Sequence, residues 1–121
     1  MGFFALAEYE WFTCLDRCIP VDKIEYEDYT KCAQKCCKQL KEEFNCDIIV
    51  ALTHMRIEND RILSQNVGEI DFILGGHDHL SIGEISDKGV FIVKSGTDFE
   101  EFGNLEVYLN VTENEAEKLK K

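Results

Sequence analysis

Histidine and proline are scarce in this chain of 121 residues, which contains three histidines and a single proline. It also lacks any run of about 18 apolar residues, which excludes a membrane-spanning helix in the sequence. The first residues carry no basic segment and reach Glu8 early, so they make a poor secretory signal. We therefore expect a cytoplasmic protein with no membrane partner.

Basic residues are few as well. Lysine and arginine number 13 against 24 aspartates and glutamates, and the net charge is −11. Such a charge repels the phosphate backbone of nucleic acids, so we expect no nucleic-acid partner. A small phosphate ester remains acceptable as a ligand, because bound divalent cations reverse the local electric field.

The first two thirds of the sequence predict a βαβ arrangement after an initial strand. Residues 2–7, 47–53 and 70–74 are short apolar runs typical of buried strands. Residues 28–44 and 56–67 show helical spacing, and Asp28 can cap the first of these helices. A strand, a helix and a strand in about 28 residues predict two parallel strands. The helix over 28–44 shows an apolar stripe formed by Tyr29, Cys32, Ala33, Cys36, Leu40 and Phe44.

The remaining third predicts antiparallel structure. Residues 82–94 resemble a hairpin around a Lys-Gly turn, and residues 104–111 alternate between apolar and polar side chains like a half-buried strand. Residues 113–121 form a charged tail. The whole pattern predicts one α/β domain, with a βαβ unit followed by antiparallel strands.

All three histidines follow predicted parallel strands. His54 comes directly after one apolar run, and His77 and His79 follow the next one. Ligands gather at the carboxyl ends of parallel strands, so we expect these rings to lie on one rim of the sheet. Imidazoles so placed can bind one metal or two neighbouring metals.

The residues around His77 have supporting roles in this hypothesis. Gly75 and Gly76 allow backbone angles closed to other residues and let the chain pass close to a bound group. Asp78 lies between the two histidines, and we expect it to point away from the metal or to orient a ring.

These motifs resemble those of the calcineurin-like metallophosphoesterases, and within them most closely the 5′-nucleotidase branch. Residues 51–56 (Ala-Leu-Thr-His-Met-Arg), with Asn59 and Asp60, resemble the family's fourth motif, and residues 73–79 look like its last metal motif, Gly-Gly-His-x-His. Residues 93–96 and 102–107 are similar to the strands that close the phosphoesterase domain, and residues 2–11 to the segment entering its second half.

The resemblance implies that residues 1–112 form the C-terminal half of an α/β/β/α sandwich. The complete family site holds two divalent metals, and Zn, Mn, Fe, Co and Mg are all open here. By motif position, His54 and His77 would bind one metal and His79 the other. A metal-bound hydroxide would attack the phosphorus of a nucleotide or another phosphomonoester, so no side chain is assigned as nucleophile or general base.

The metal ligands that come from the first half of that family's catalytic domain are missing from this chain. It contains no Asp-x-His, no bridging Gly-Asp aspartate and no Gly-Asn-His-Glu. We therefore predict that the isolated chain binds metal weakly, hydrolyses phosphoesters poorly or not at all, and self-associates through exposed apolar surface. It would act as a truncated half-domain or with a partner polypeptide that supplies the missing half; the alternative is an inactive remnant that folds with a partner.

Six cysteines give a different hypothesis. Cys14, Cys18, Cys32 and Cys36 form a twin C-x-x-x-C pattern that resembles small chaperones of the mitochondrial intermembrane space, in which two disulfides join a helical hairpin. Four such thiolates can also bind a structural zinc, although two intervening residues are the usual spacing. We favour reduced thiols, because no secretory signal is present and Cys32 and Cys36 lie on the apolar stripe of a predicted helix.

Overall fold

The computed structural model describes residues 1–14 and 20–110 and has a mixed α/β fold. A short 3-10 helix, Val21–Lys23, lies between the first two α-helices. The strands are β1 (Gly2–Ala7), β2 (Ile49–Met55), β3 (Phe72–His77), β4 (Ser81–Ile85) and β5 (Phe91–Ser95). The α-helices are α1 (Trp11–Cys14), α2 (Tyr29–Glu42) and α3 (Ile57–Asn66).

The five described strands form one sheet in the order β1-β2-β3-β5-β4. β2 pairs in parallel with β1 on one side and β3 on the other, so the predicted βαβ unit is confirmed. The predicted hairpin is confirmed as well, because β4 and β5 pair antiparallel. Its second strand also pairs in parallel with β3, which makes four of the described strands parallel.

Helices α2 and α3 pack on one face of this sheet, which we call the covered face. Ile49, Ile73 and Ile92 alternate into it from β2, β3 and β5 and are fully buried. From the helices, Cys37 and Leu63 complete the contact and are equally buried. The core therefore lies between two helices and one side of the sheet.

Helix α2 begins where the sequence predicts. The Asp28 carboxylate accepts hydrogen bonds at 3.1 Å from the backbone N–H groups of Thr30 and Lys31, which have no partner inside the helix. The helix ends at Glu42, two residues before the predicted end, and Phe44 is 64% exposed. Cys37 lies at the centre of its buried face, where the sequence pattern favoured Cys36.

The opposite face of the sheet, which we call the open face, is apolar but largely uncovered. Phe3, Leu52 and Ile85 lie on it and are 54%, 42% and 71% exposed. Residues 103–105 line a groove with this face, beside Leu74 and Val93.

Residues 104–110 form no strand, so the predicted strand over 104–111 is wrong over its described part. All seven of these residues are exposed. Pairing beside β5, the strand that precedes this segment, is blocked because β3 and β4 already flank β5. The last predicted strand residue, Val111, and the charged tail lie outside the described residues.

Within the described ranges, each helix is too short or too polar to cross a lipid bilayer.

Candidate metal centre at the carboxyl ends of the parallel strands

The candidate site lies at the rim formed by the carboxyl ends of β1, β2 and β3. Register pairs β1 with β2 at Ala7 and His54, and β2 with β3 at Met55 and His77. Each strand therefore delivers its last residues, or those that follow, to the same edge. This is the edge at which parallel α/β sheets bind ligands.

Two of the three predicted histidines meet there. The ring centroids of His54 and His77 are 5.2 Å apart. His79 lies two residues beyond β3 and is exposed; its charge is the weakest of the influences that lower the pKa of His54. The predicted ligand set of three histidines is untested and stays a prediction.

The described groups that can converge on a single cation are different: Glu8, Glu10 and His77, whose ligand atoms all lie within 4.8 Å of one another. His77 Nε2 is 3.5 Å from Glu8 Oε1 and 3.9 Å from Glu10 Oε2. That nitrogen is buried, and no described group forms a hydrogen bond with it. Two carboxylates facing an imidazole nitrogen that carries its lone pair fit a divalent cation such as Zn²⁺ or Mn²⁺.

Glu8 is buried and held in place by α3. Its carboxylate accepts a 3.0 Å hydrogen bond from the Arg56 backbone N–H and a second one from the Asn59 amide. The Asn59 carbonyl oxygen in turn accepts a hydrogen bond of 3.2 Å from the Tyr29 hydroxyl. This chain of contacts orients one Glu8 oxygen toward the His77 ring.

Glu10 is held by the Arg56 guanidinium. Nε and Nη2 donate to the two carboxylate oxygens at 2.6 and 2.5 Å. These hydrogen bonds lower the pKa of Glu10, ahead of an opposing effect of burial. Glu10 is therefore ionised at neutral pH, in the form that a cation requires.

Trp11 packs against both histidine rings. Its indole N–H donates to the His54 carbonyl oxygen at 3.0 Å, and its ring centroid lies 4.5 Å from that of His54 and 5.5 Å from that of His77. Partial burial is the largest cause that lowers the pKa of His54, followed by the charges of His77 and Lys94. His54 is thus biased toward the neutral form that can bind a metal.

The special backbone angles predicted for Gly75 and Gly76 are not found, whereas their predicted close approach to a bound group stays a prediction. Neither adopts positive φ; that conformation belongs to His77 (+87°) and His79 (+57°). A Cβ added at Gly75 would lie 3.0 Å from Lys94 Cε, and one at Gly76 would lie 3.3 Å from His54 Nδ1. The two glycines therefore make room for neighbouring side chains.

Asp78 contacts Lys94 and the start of α3, and its predicted place relative to a metal stays a prediction. Its Oδ2 accepts hydrogen bonds from the Ile57 backbone N–H at 2.6 Å and from Lys94 Nζ at 2.9 Å. Burial opposes its ionisation, but these two hydrogen bonds together with the charges of Lys94 and His77 hold its pKa below the usual range. Asp78 thus stabilises the start of α3 and pairs with a buried lysine.

Sequence reasoning missed Glu8 and Glu10 as candidate ligands. A usable signal existed, because both lie within three residues of the end of the predicted strand over residues 2–7, as His54 and His77 do for their own predicted strands. The i, i+2 spacing of the two glutamates matches that of His77 and His79.

The thiols of Cys14, Cys32 and Cys36 are free, and Cys18 lies outside the described residues. Helix α2 packs on the sheet and α1 spans four residues, so the described part of the chain does not form a two-helix hairpin. The disulfide and zinc hypotheses therefore find no support in the described fold.

Two known proteins are similar to this chain at low identity. An apyrase of Tabanus yao is 26% identical over an alignment of 113 positions, and the match covers 76% of this chain and 20% of the apyrase. The trifunctional nucleotide phosphoesterase protein YfkN of Bacillus subtilis (strain 168) is 38% identical over 60 residues, which are 50% of this chain and 4% of that protein. The chain spans a fifth or less of either relative. No protein-family model and no solved structure matches it.

The two relatives point to the same broad chemistry, at the level of a distant relationship. One is named an apyrase and the other a nucleotide phosphoesterase. The chain is thus similar, over part of its length, to two proteins whose names denote nucleotide phosphoester chemistry.

Proposed function

We propose that this chain is part of a metal-dependent phosphoester hydrolase that acts on nucleotides. Its distant relatives support a nucleotide phosphoester hydrolase at the level of family. The observation that carries the metal dependence is the buried, unbonded His77 Nε2 facing the carboxylates of Glu8 and Glu10.

In this proposal, Glu8, Glu10 and His77 hold a divalent cation, and the His54 ring beside them can serve as a further ligand. When bound, such a cation supplies a Lewis acid that lowers the pKa of a coordinated water and neutralises phosphate charge. The chain's own residues prepare the ligands: Arg56 keeps Glu10 ionised, and Asn59 orients Glu8.

A second, more specific proposal assigns individual histidines to two metals. In it, His54 and His77 bind one of two metals and His79 the other, and the site is of the 5′-nucleotidase type. We call Glu8, Glu10 and His77 the structural cluster and the three histidines the motif-based set. His77 belongs to both, whereas Glu10 belongs only to the first and His79 only to the second. These two residues therefore distinguish the proposals.

Titration calorimetry with Mn²⁺ tests the ligand sets directly. We expect His77→Ala to abolish binding and Glu10→Gln to weaken it by about tenfold or more. Glu84→Gln is a matched control, because Arg61 donates to both oxygens of Glu84 just as Arg56 does to Glu10. Equal loss in Glu10→Gln and Glu84→Gln would show that the structural cluster is not the site; loss in His79→Ala would favour the motif-based set.

Hydrolysis is tested with a nucleoside monophosphate in the presence of Mn²⁺. We expect little or no phosphate release from the chain alone, because three or four ligands are fewer than a two-metal site uses. Robust turnover that disappears in His77→Ala would overturn the expected low activity while supporting the metal site.

We propose a partner polypeptide as a second component. The supporting observation is the open face of the sheet, where Phe3, Leu52 and Ile85 are exposed on one apolar surface. A polypeptide with the missing family motifs should bind this chain and raise phosphate release when the two are mixed. If activity does not rise on mixing although the two bind, the alternative of an inactive remnant is favoured.

A further inference from the structure

The backbone of His77 adopts an unfavourable conformation at the candidate metal centre. Its φ of +87° lies in the left-handed region, which a residue with a Cβ rarely occupies. Such a conformation persists only where surrounding contacts enforce it. Gly76, which could adopt positive φ without strain, is extended instead. The contacts on either side of His77 therefore decide where its ring points.

Lys94 provides these contacts from another strand. Its side chain extends from β5 beneath β3 and is 2% exposed. Its Nζ lies within hydrogen-bonding distance of four oxygens: the carbonyls of Met55 (2.6 Å) and Gly76 (2.7 Å), and the carboxylates of Asp60 and Asp78 (both 2.9 Å). A buried ammonium with this many oxygen partners is strongly fixed in position.

Two of the four oxygens flank His77 in sequence. The Gly76 carbonyl belongs to the peptide bond before His77, and the Asp78 carboxylate belongs to the residue after it. Asp78 is fixed a second time by the Ile57 backbone N–H. Lys94 therefore restrains the chain on both sides of His77.

Gly75 provides the space through which the Lys94 side chain passes under β3. A Cβ at this position would lie 3.0 Å from Lys94 Cε, 3.2 Å from Lys94 Cγ and 3.0 Å from Asp60 Oδ2. A side chain at this position would therefore crowd Lys94 and Asp60 and force them to shift. The first glycine of the Gly-Gly pair thus serves Lys94.

We infer that Lys94 is a positioning residue that holds His77 in its left-handed conformation and so directs the His77 ring toward Glu8 and Glu10. The part of this inference that concerns metal affinity rests on the proposed function. The part that concerns the conformation of His77 does not, because it can be measured without metal.

The test uses the double variant Lys94→Met/Asp60→Asn. Methionine keeps an unbranched chain but cannot donate, and asparagine removes the buried carboxylate that the single change would leave without its cation. Lys38→Met serves as the control, since Lys38 is 72% exposed in its side chain and lies on α2. Urea unfolding of each variant shows that the compared proteins are folded.

The first measurement is made by NMR without metal. The intraresidue distance between the amide proton and Hα is short only at positive φ, so we expect a strong cross-peak for His77 in the unchanged chain and in Lys38→Met. We expect the cross-peak to weaken in the double variant. An unchanged His77 cross-peak in the folded double variant would overturn the inference, whatever the metal affinity.

The second measurement is Co²⁺ binding, followed by calorimetry and by the visible absorption of the bound ion. We expect the double variant to bind about 10–100-fold more weakly than Lys38→Met. If the unchanged chain binds no Co²⁺ but His77 changes conformation in the variant, the proposed function fails while the positioning role stands. Equal affinity in both variants would overturn the role of Lys94 at the metal.

Gly75→Ala gives an independent check, because it keeps every donor and acceptor and only narrows the path of Lys94. We expect it to weaken the His77 cross-peak and Co²⁺ binding in the same direction as the double variant. A matched change at another strand position on the same β3, Leu74→Ala, should leave both unchanged. The reverse pattern would overturn the inference.

Discussion

The two faces of the sheet differ in how completely they are packed. On the covered face, Ile49, Ile73 and Ile92 lie under two helices and are fully buried. On the open face, the equally apolar side chains of Leu52 and Ile85 are about half exposed or more. Both faces are built from alternate residues of the same strands.

The two faces therefore contribute differently: the covered face stabilises the fold, and the open face leaves apolar surface exposed. The covered face supplies the hydrophobic free energy that folds the domain, since burial of apolar area is the dominant favourable term. The open face contributes less and leaves an apolar surface typical of an interaction site. The candidate metal centre lies at the edge of the sheet, where the two faces meet.

The largest expected effect on the free energy of unfolding comes from comparing two variants, one with an aspartate on the covered face and one with an aspartate on the open face. Ile92→Asp puts a carboxylate at a fully buried position without a partner, and we expect it to cost more than about 4 kcal/mol or to prevent folding. Leu52→Asp makes the same change at a position that is 42% exposed, and we expect a loss below about 1 kcal/mol. Urea unfolding followed by circular dichroism measures both; similar losses would show that the faces are equally packed.

A second prediction concerns pH and the covered face. Burial raises the pKa of the Cys37 thiol to about 11 from its ordinary 9.0. Between these values the unfolded chain loses a proton that the folded chain keeps. The free energy of unfolding should therefore fall by about 2–3 kcal/mol as pH rises from 9 to 11.

The measurement is the pH dependence of urea unfolding in Cys37→Ala, with Cys14→Ala as the control at an exposed thiol. We expect the dependence between pH 9 and 11 to be shallower in Cys37→Ala and unchanged in Cys14→Ala. Parallel profiles for the two variants would mean that the Cys37 thiol ionises as an exposed one does.

The smallest expected effect is on self-association through the open face. Phe3→Glu should weaken association between copies of the chain by about tenfold, or about 1.4 kcal/mol, because it charges a residue that is 54% exposed there. Phe44→Glu is the matched control: Phe44 is 64% exposed but follows α2. Sedimentation velocity over a concentration series measures both, and a monomer at every concentration would remove the open face as a contact between copies.

Local pattern was sufficient for most secondary structure. The apolar runs of β1 and β2 and the helical spacing of α2 predict those elements within a few residues, because alternation and capping act between near neighbours. The alternation over 104–110 is equally regular, yet it forms no strand. Alternation alone does not place a segment in a sheet, and β5, the strand that precedes this segment, is flanked on both sides.

The candidate site was only partly predictable for a similar reason. His54 and His77 follow from the rule that parallel strands end at one rim. Glu8 and Glu10 reach His77 because β1 pairs with β2, a contact between segments more than 40 residues apart. Their approach depends on strand order, which the predicted elements leave open.

The succession of most strands and helices along the chain, the capped start of α2 and the location of the histidines near strand ends follow from the amino-acid sequence, because short-range pattern specifies them. The partners of His77, its left-handed backbone and the path of Lys94 under Gly75 arise in the folded chain alone. The physical reason is register: which side chains meet is set by the pairing of strands distant in sequence, and the low-dielectric surroundings of Lys94 and Asp60 strengthen the contact between the two.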